Sequence, residues 1–207
     1  MQGQEYLNQI SASNRPVKQS KINGILTSKW LLLGVGFFVL LIIIMIIGST
    51  LSGNKGGEKN NSFKLDIHIS NTIDVINEYQ KDIKSSKLRG NSSSLNSVLA
   101  STKSNLDKYI TEKYKIKDIT KEADKDFITE ATTNKDALTQ ELFEAKINGI
   151  LDRVYAHKMA HEITLIASEE KTIMGQTSNE TLKAILSESY DSLDKLYGEF
   201  NDYSETK

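Results

Sequence analysis

The sequence predicts an all-α protein, an N-terminal transmembrane helix followed by an antiparallel four- or five-helix bundle. Three observations carry this expectation. Trp30–Ile47 is an unbroken apolar run, "WLLLGVGFFVLLIIIMII". From Phe63 onward apolar residues recur at spacings of three and four, the period of a helix rather than a strand. One proline, one Trp and six Phe in 207 residues argue against a sheet-rich fold.

Taken in chain order, residues 1–28 are polar, lack a periodic apolar face and read as a disordered cytoplasmic tail. Residues 29–51 read as a transmembrane signal anchor. The apolar run has 18 residues, and at about 1.5 Å per residue it spans roughly 27 Å, close to a bilayer's hydrocarbon core. Trp30, Leu31, Phe37, Phe38, Ile42 and Ile47 are its anchor residues, with Trp30 and Lys29 at the interface. A cleaved signal peptide would start closer to the N-terminus and end at a stronger small-x-small site. Arg15, Lys18, Lys21 and Lys29 precede the run and set the topology, N-terminus cytoplasmic and C-terminal domain outside. Residues 52–62, "SGNKGGEKNNS", read as a flexible linker.

Residues 63–204 are the expected extracytoplasmic bundle. Leu65, Ile69, Ile73, Ile76 and Ile83 form a first stripe, ended by Gly90, after which Asn91 or Ser92 caps a second helix. That helix carries Leu95, Val98, Leu99, Thr102, Leu106, Tyr109 and Ile110. A third begins near Thr120, with Glu122 and Asp124 favouring its dipole. Gly175 stops the penultimate helix, and Thr177 with Glu180 has the spacing of a capping box. Leu182, Ile185, Leu186, Leu193, Leu196, Phe200 and Tyr203 line the last one.

Residues 120–174 admit two readings. One unbroken helix would be about 80 Å long, whereas a break around Lys146–Gly149 gives two helices of ordinary length. Two apolar rows run through this region. Leu142, Ala145, Ala156, Ala160, Ile163 and Ala167 make one; Phe143, Ile147, Ile150, Val154 and Leu165 make the other. A segment apolar on both sides is expected in the middle of a bundle. "KINGIL" occurs at both 21–26 and 146–151 with unrelated flanks, too little to mark a repeat.

Composition narrows function. With no cysteine, disulfides, thiolate nucleophiles and Cys-ligated metal centres are excluded. Of 26 basic and 27 acidic residues, five and one fall in 1–57, leaving 21 and 26 in 58–207, a net of −5. A mildly acidic domain is a poor ligand for nucleic acid. No G-x-S-x-G, P-loop or G-x-G-x-x-G is present, and adjacent acids such as Glu169–Glu170 belong on a solvated face. The chemical candidates are His157 and His161, four apart in "YAHKMAHEI". Extended from the Phe143–Val154 row, both face other helices, where imidazoles form a polar layer. A metal site completed from another helix, with His68 among the available donors, is the alternative, and a pH-responsive contact a third. The order differs from H-E-x-x-H, and no Glu-x-x-His pair is present.

"YLNQISASNRPVK", "ELFEAKINGILDRVYAHKMAHEI" and "SYDSLDKLY" together resemble single-pass membrane proteins of Saccharibacteria-type reduced-genome bacteria. That resemblance implies location and architecture, and no catalytic residues. A weaker resemblance is to exported ferritin-like helical bundles. The expected function is a non-catalytic, protein-binding or envelope-structural role at the lipid bilayer, without a cofactor and with a protein partner in the cell envelope. A metal-binding bundle using His157 and His161, or a ligand-sensing ectodomain, is the alternative.

Overall fold

The computed structural model describes residues 57–205. The tail, the anchor residues Trp30, Leu31, Phe37, Phe38, Ile42 and Ile47, and the basic residues Arg15, Lys18, Lys21 and Lys29 lie outside the described residues. Among the described residues all regular structure is helical, and no helix is long and apolar enough to cross a membrane. The elements are α1 (Glu58–Tyr79), a 3₁₀ turn (Gln80–Asp82), α2 (Ser86–Tyr114), the single turn α3 (Ile119–Glu122), α4 (Lys125–Ile147), α5 (Leu151–Gln176) and α6 (Glu180–Glu205).

Short polar side chains set the helix starts by accepting the first free backbone N–H groups. Ser85 accepts from Leu88 ahead of α2, Asp124 from Asp126 ahead of α4, and Asn179 from Leu182 ahead of α6. The α4–α5 break falls at Asn148–Gly149. Gly149 has φ 72°, its N–H donates to Lys146 O, and the Ile150 N–H donates to Ala145 O. This is a Schellman ending, with glycine at the left-handed position where a Cβ is penalised.

Several expected boundaries are corrected. α1 begins at Glu58, inside the expected linker, because Asn61 and Ser62 are buried and Glu58 is fixed by hydrogen bonds. The first break lies at Ile83–Ser85 rather than Gly90, since extended Ile83 and the Ser85 cap end one helix and start the next. Gly90 sits inside α2, where one glycine is tolerated. Asn179, not Thr177, caps α6, and the Thr177 hydroxyl donates to Glu58 Oε2 instead.

Side-chain pairings give the helix directions. Asp66 meets Lys103 and Asn77 meets Asn96, so α1 and α2 are antiparallel. Asn61 meets Gln176 and His68 meets Glu169, so α1 and α5 are antiparallel too. Thr102 meets Ser189 on α6, and Asp152 near the start of α5 meets Tyr203 near the end of α6. α4 runs parallel to α1: Asn71 donates to Ala131 O and Tyr79 to Thr139 O.

α1 packs on α2, α2 on α6, α6 on α5 and α5 on α1. These four close a ring, and α4 lies outside it, against α1 and α5. Leu65, Ile69, Ile76, Leu99, Leu106, Ile166, Leu186 and Phe200 are among the residues sealed in the core. Each is worth about 1.5–3 kcal/mol against exposure. α4 buries only Leu138, Leu142 and Ala145.

Of the row Phe143, Ile147, Ile150, Val154 and Leu165, expected inside the bundle, only Val154 is partly buried against the core and the other four are exposed. The reason is that α4 and α5 cover each other and α1 through the Leu142–Ala145 and Ala156–Ile163 sides, so no helix stands over the side carrying Phe143, Ile147 and Leu165. In the other row Leu142, Ala145, Ala156, Ala160 and Ile163 are buried and Ala167 is half-buried. α1 and α5 each pack on three neighbouring helices.

Candidate functional site

α1, α4 and α5 enclose a cleft of about 410 Å³ between them. Its floor is organised by His68. The His68 Nε2 lies 2.8 Å from Glu162 Oε2, and Nδ1 lies 3.2 Å from both oxygens of Glu169. Glu162 and Glu169 are seven apart on α5, so both point the same way, two turns apart. Burial alone would lower the His68 pKa, but Glu162 and Glu169 push it up to about 10. The ring is therefore an imidazolium that donates from both nitrogens and ties α1 to α5. It has no lone pair to give a metal or to accept a substrate proton.

Charged pairs bridge the cleft's walls. Glu141 of α4 pairs with Lys158 of α5, and Lys135 of α4 with Asp74 of α1. Phe127 of α4 takes the Lys64 ammonium against its ring, 5.1 Å from the centroid. α4 thus covers the His68 cluster largely through polar contacts near solvent, each worth about 0–1 kcal/mol.

A second polar set lies inside the ring. Asp66 accepts from Lys103 at 2.8 Å, Thr102 meets Ser189 at 2.8 Å, and the Tyr155 hydroxyl crosses from α5 to Ser92 of α2 at 2.6 Å. Glu170 is fully buried, and neither carboxyl oxygen has a hydrogen-bond partner. Burial pushes its pKa up to about 8, so the side chain is a neutral acid at neutral pH. This corrects the expectation for Glu169–Glu170: one acid holds His68 and the other is enclosed. On a helix, neighbours in sequence point about 100° apart, so one residue of the pair reaches the seam with α1 and the next the core.

At the end of the bundle where α1 begins, Glu58 collects four donors. Tyr109, Lys113 and Tyr114 donate to Oε1 at 2.5, 2.5 and 2.7 Å, and Thr177 donates to Oε2 at 2.7 Å. Burial opposes ionisation here, yet Lys113, Thr177, Tyr109 and Tyr114 hold the carboxyl down at about 2. At the opposite end the α4–α5 hairpin leaves Phe143, Ile147 and Ile150 exposed at 49, 68 and 43 %. A second cleft, about 390 Å³, opens beside Ile150.

His157 and His161 are both exposed on the outer side of α5, with His161 at the lip of the α1–α4–α5 cleft. The expectation that they face other helices is corrected, for the reason given for the Phe143 row. Among the described residues no three His, Cys, Asp or Glu side chains are arranged to hold a metal ion. Sequence reasoning passed over His68, Glu162 and Glu169 as a unit. The available signal was "KLDIHIS", where apolar residues on both sides of His68 mark a helix buried on two faces. Comparison with known proteins finds no matching family model, no matching curated protein and no matching solved structure.

Proposed function

We propose that the chain is a membrane-anchored extracytoplasmic module: a single N-terminal transmembrane helix carrying an antiparallel five-helix bundle with a non-catalytic protein-binding or envelope-structural role. The observation that carries the binding role is the apolar group Phe143, Ile147 and Ile150, three of the five large apolar side chains exposed among the described residues, gathered at one end of the bundle. That end is the opposite end of the bundle from Glu58. Exposed apolar side chains grouped at one place are the usual mark of an interaction surface. The apolar run 30–47 and the basic residues before it support the anchor and its orientation. The non-catalytic reading draws on His68, whose two nitrogens are both committed to carboxylates.

The absence of cysteine makes the topology testable with single introduced thiols. Ser94→Cys, on the exposed side of α2, should react with a membrane-impermeant maleimide on intact cells, and Ser13→Cys only after permeabilisation. The reverse pattern would overturn the orientation. For binding, photo-crosslinking residues placed at Ile147, Ser104 and Tyr197 of the whole chain should yield a reproducible protein adduct from at least one position. No adduct from any of them, with the bundle folded, would sink the protein-binding role.

A further inference from the structure

We infer that the hairpin end of the bundle receives an acidic, apolar peptide segment of a partner protein. This rests on the protein-binding reading and names the partner's chemistry. The cleft beside Ile150 is bounded by Lys84, Lys146 and Arg153 and by two acids, Asp82 and Asp152. Both acids are already engaged. Asp82 accepts from Lys146 Nζ at 2.7 Å. Asp152 accepts the backbone N–H groups of Lys84 and Ser85 at 2.9 and 2.8 Å, and the Tyr203 hydroxyl at 3.4 Å.

Lys84 and Arg153 are exposed, and neither side chain has an ion-pair partner among the described residues. The opening therefore carries three cations against two carboxylates, a net of +1, on a domain whose own balance is acidic. Ile150 lines it, and Phe143 and Ile147, one turn apart in the last two turns of α4, are exposed as well. A carboxylate entering the cleft meets an Arg fork and an ammonium, while an aliphatic or aromatic neighbour covers Ile147. A concave opening of this size suits a side chain of an extended or helical peptide better than the flat face of a bilayer.

The test uses the full chain in nanodiscs and a displayed library of random heptapeptides. Selected peptides should combine Asp or Glu with aliphatic or aromatic residues. For a labelled member of that set, Lys84→Glu/Arg153→Glu and, separately, Ile147→Ser/Ile150→Ser should each weaken the Kd at least ten-fold with helical content unchanged. Raising salt from 50 to 200 mM should weaken it several-fold. A consensus without acids, no enrichment, or binding indifferent to both variants overturns the inference. So does sedimentation with phosphatidylglycerol vesicles that the same variants abolish while no peptide is enriched, which assigns the tip to lipid. A cellular adduct from Ser104 or Tyr197 with Ile147 silent would overturn this inference and leave the protein-binding role standing.

Discussion

Helices α1 and α4 have 22 and 23 residues, the same average hydropathy, and run parallel side by side. Yet α1 buries eleven residues, four of them polar, and α4 buries three. Composition does not separate them; neighbours do. α1 belongs to the four-helix ring and is also overlaid by α4, so even Asn61, Ser62, Asp66 and Thr72 lose contact with water. Among the helices α4 packs on α1 and α5, and its first half is held by one ion pair, one ring–ammonium contact and one side chain to backbone bond. A stripe of apolar residues at helical spacing predicts that a helix will pack, but not how many partners it will have.

The largest test of this contrast is in the ring core. Phe200→Ala should cost about 3–5 kcal/mol, the usual range for emptying a sealed aromatic site, read as the denaturant midpoint at constant m-value. A loss below 1 kcal/mol would mean that the ring is not where the stability resides.

The seam under α4 comes next. The proton affinity of His68 is raised on folding, to about 10 from 6.5. The stability it supplies is therefore complete below pH 6.5 and is lost as pH climbs towards 10. At pH 6, His68→Gln should cost about 1–3 kcal/mol, as expected when charged partners lose a buried donor. The variant should also show a flatter decline between pH 6.5 and 10; a wild-type slope in the variant would refute the imidazolium.

Glu170 gives a smaller effect of opposite sign. Its folded pKa is raised from 4.5 to about 8, so the pH-dependent cost of burying it is absent below pH 4.5, grows between pH 4.5 and 8 and levels off above. Glu170→Met should stabilise the bundle by about 1–2 kcal/mol at pH 9 and change little at pH 4.5. Destabilisation at pH 9 would mean that the carboxyl has a use the core geometry does not reveal.

The smallest effect belongs to α4. Lys158→Ala removes the Glu141 partner and should cost at most about 1 kcal/mol, in keeping with pairs near solvent. Amide exchange should be faster over residues 125–137 than anywhere in the ring helices, and equal protection would erase the contrast between α1 and α4.

Much of the bundle was legible because helices that face one core write it plainly. The stripes in α2 and α6 match the buried residues with Val98 and Ile185 only half-buried, and the Lys146–Gly149 break was one of two readings the chain allowed. What escaped was everything that depends on which helix stands opposite. His157 and His161 drew notice as a spacing on one helix, whereas His68, Glu162 and Glu169 form a unit only once α1 lies antiparallel to α5. Glu58 and Asn61 looked like linker because polar residues at a helix start resemble polar residues in a loop. Only their partners on α2, on α5 and after it distinguish the two.

The four donors on Glu58 also have a mechanical meaning. Tension reaching residue 58 from the preceding chain, while the α4–α5 hairpin is held, acts along the axis of α1. The carboxylate lies in that load path and is gripped from the end of α2 and from the α5–α6 connection at once. Its hydrogen bonds are loaded together in shear rather than peeled one after another, an arrangement that resists pulling far better than the same bonds opened in sequence.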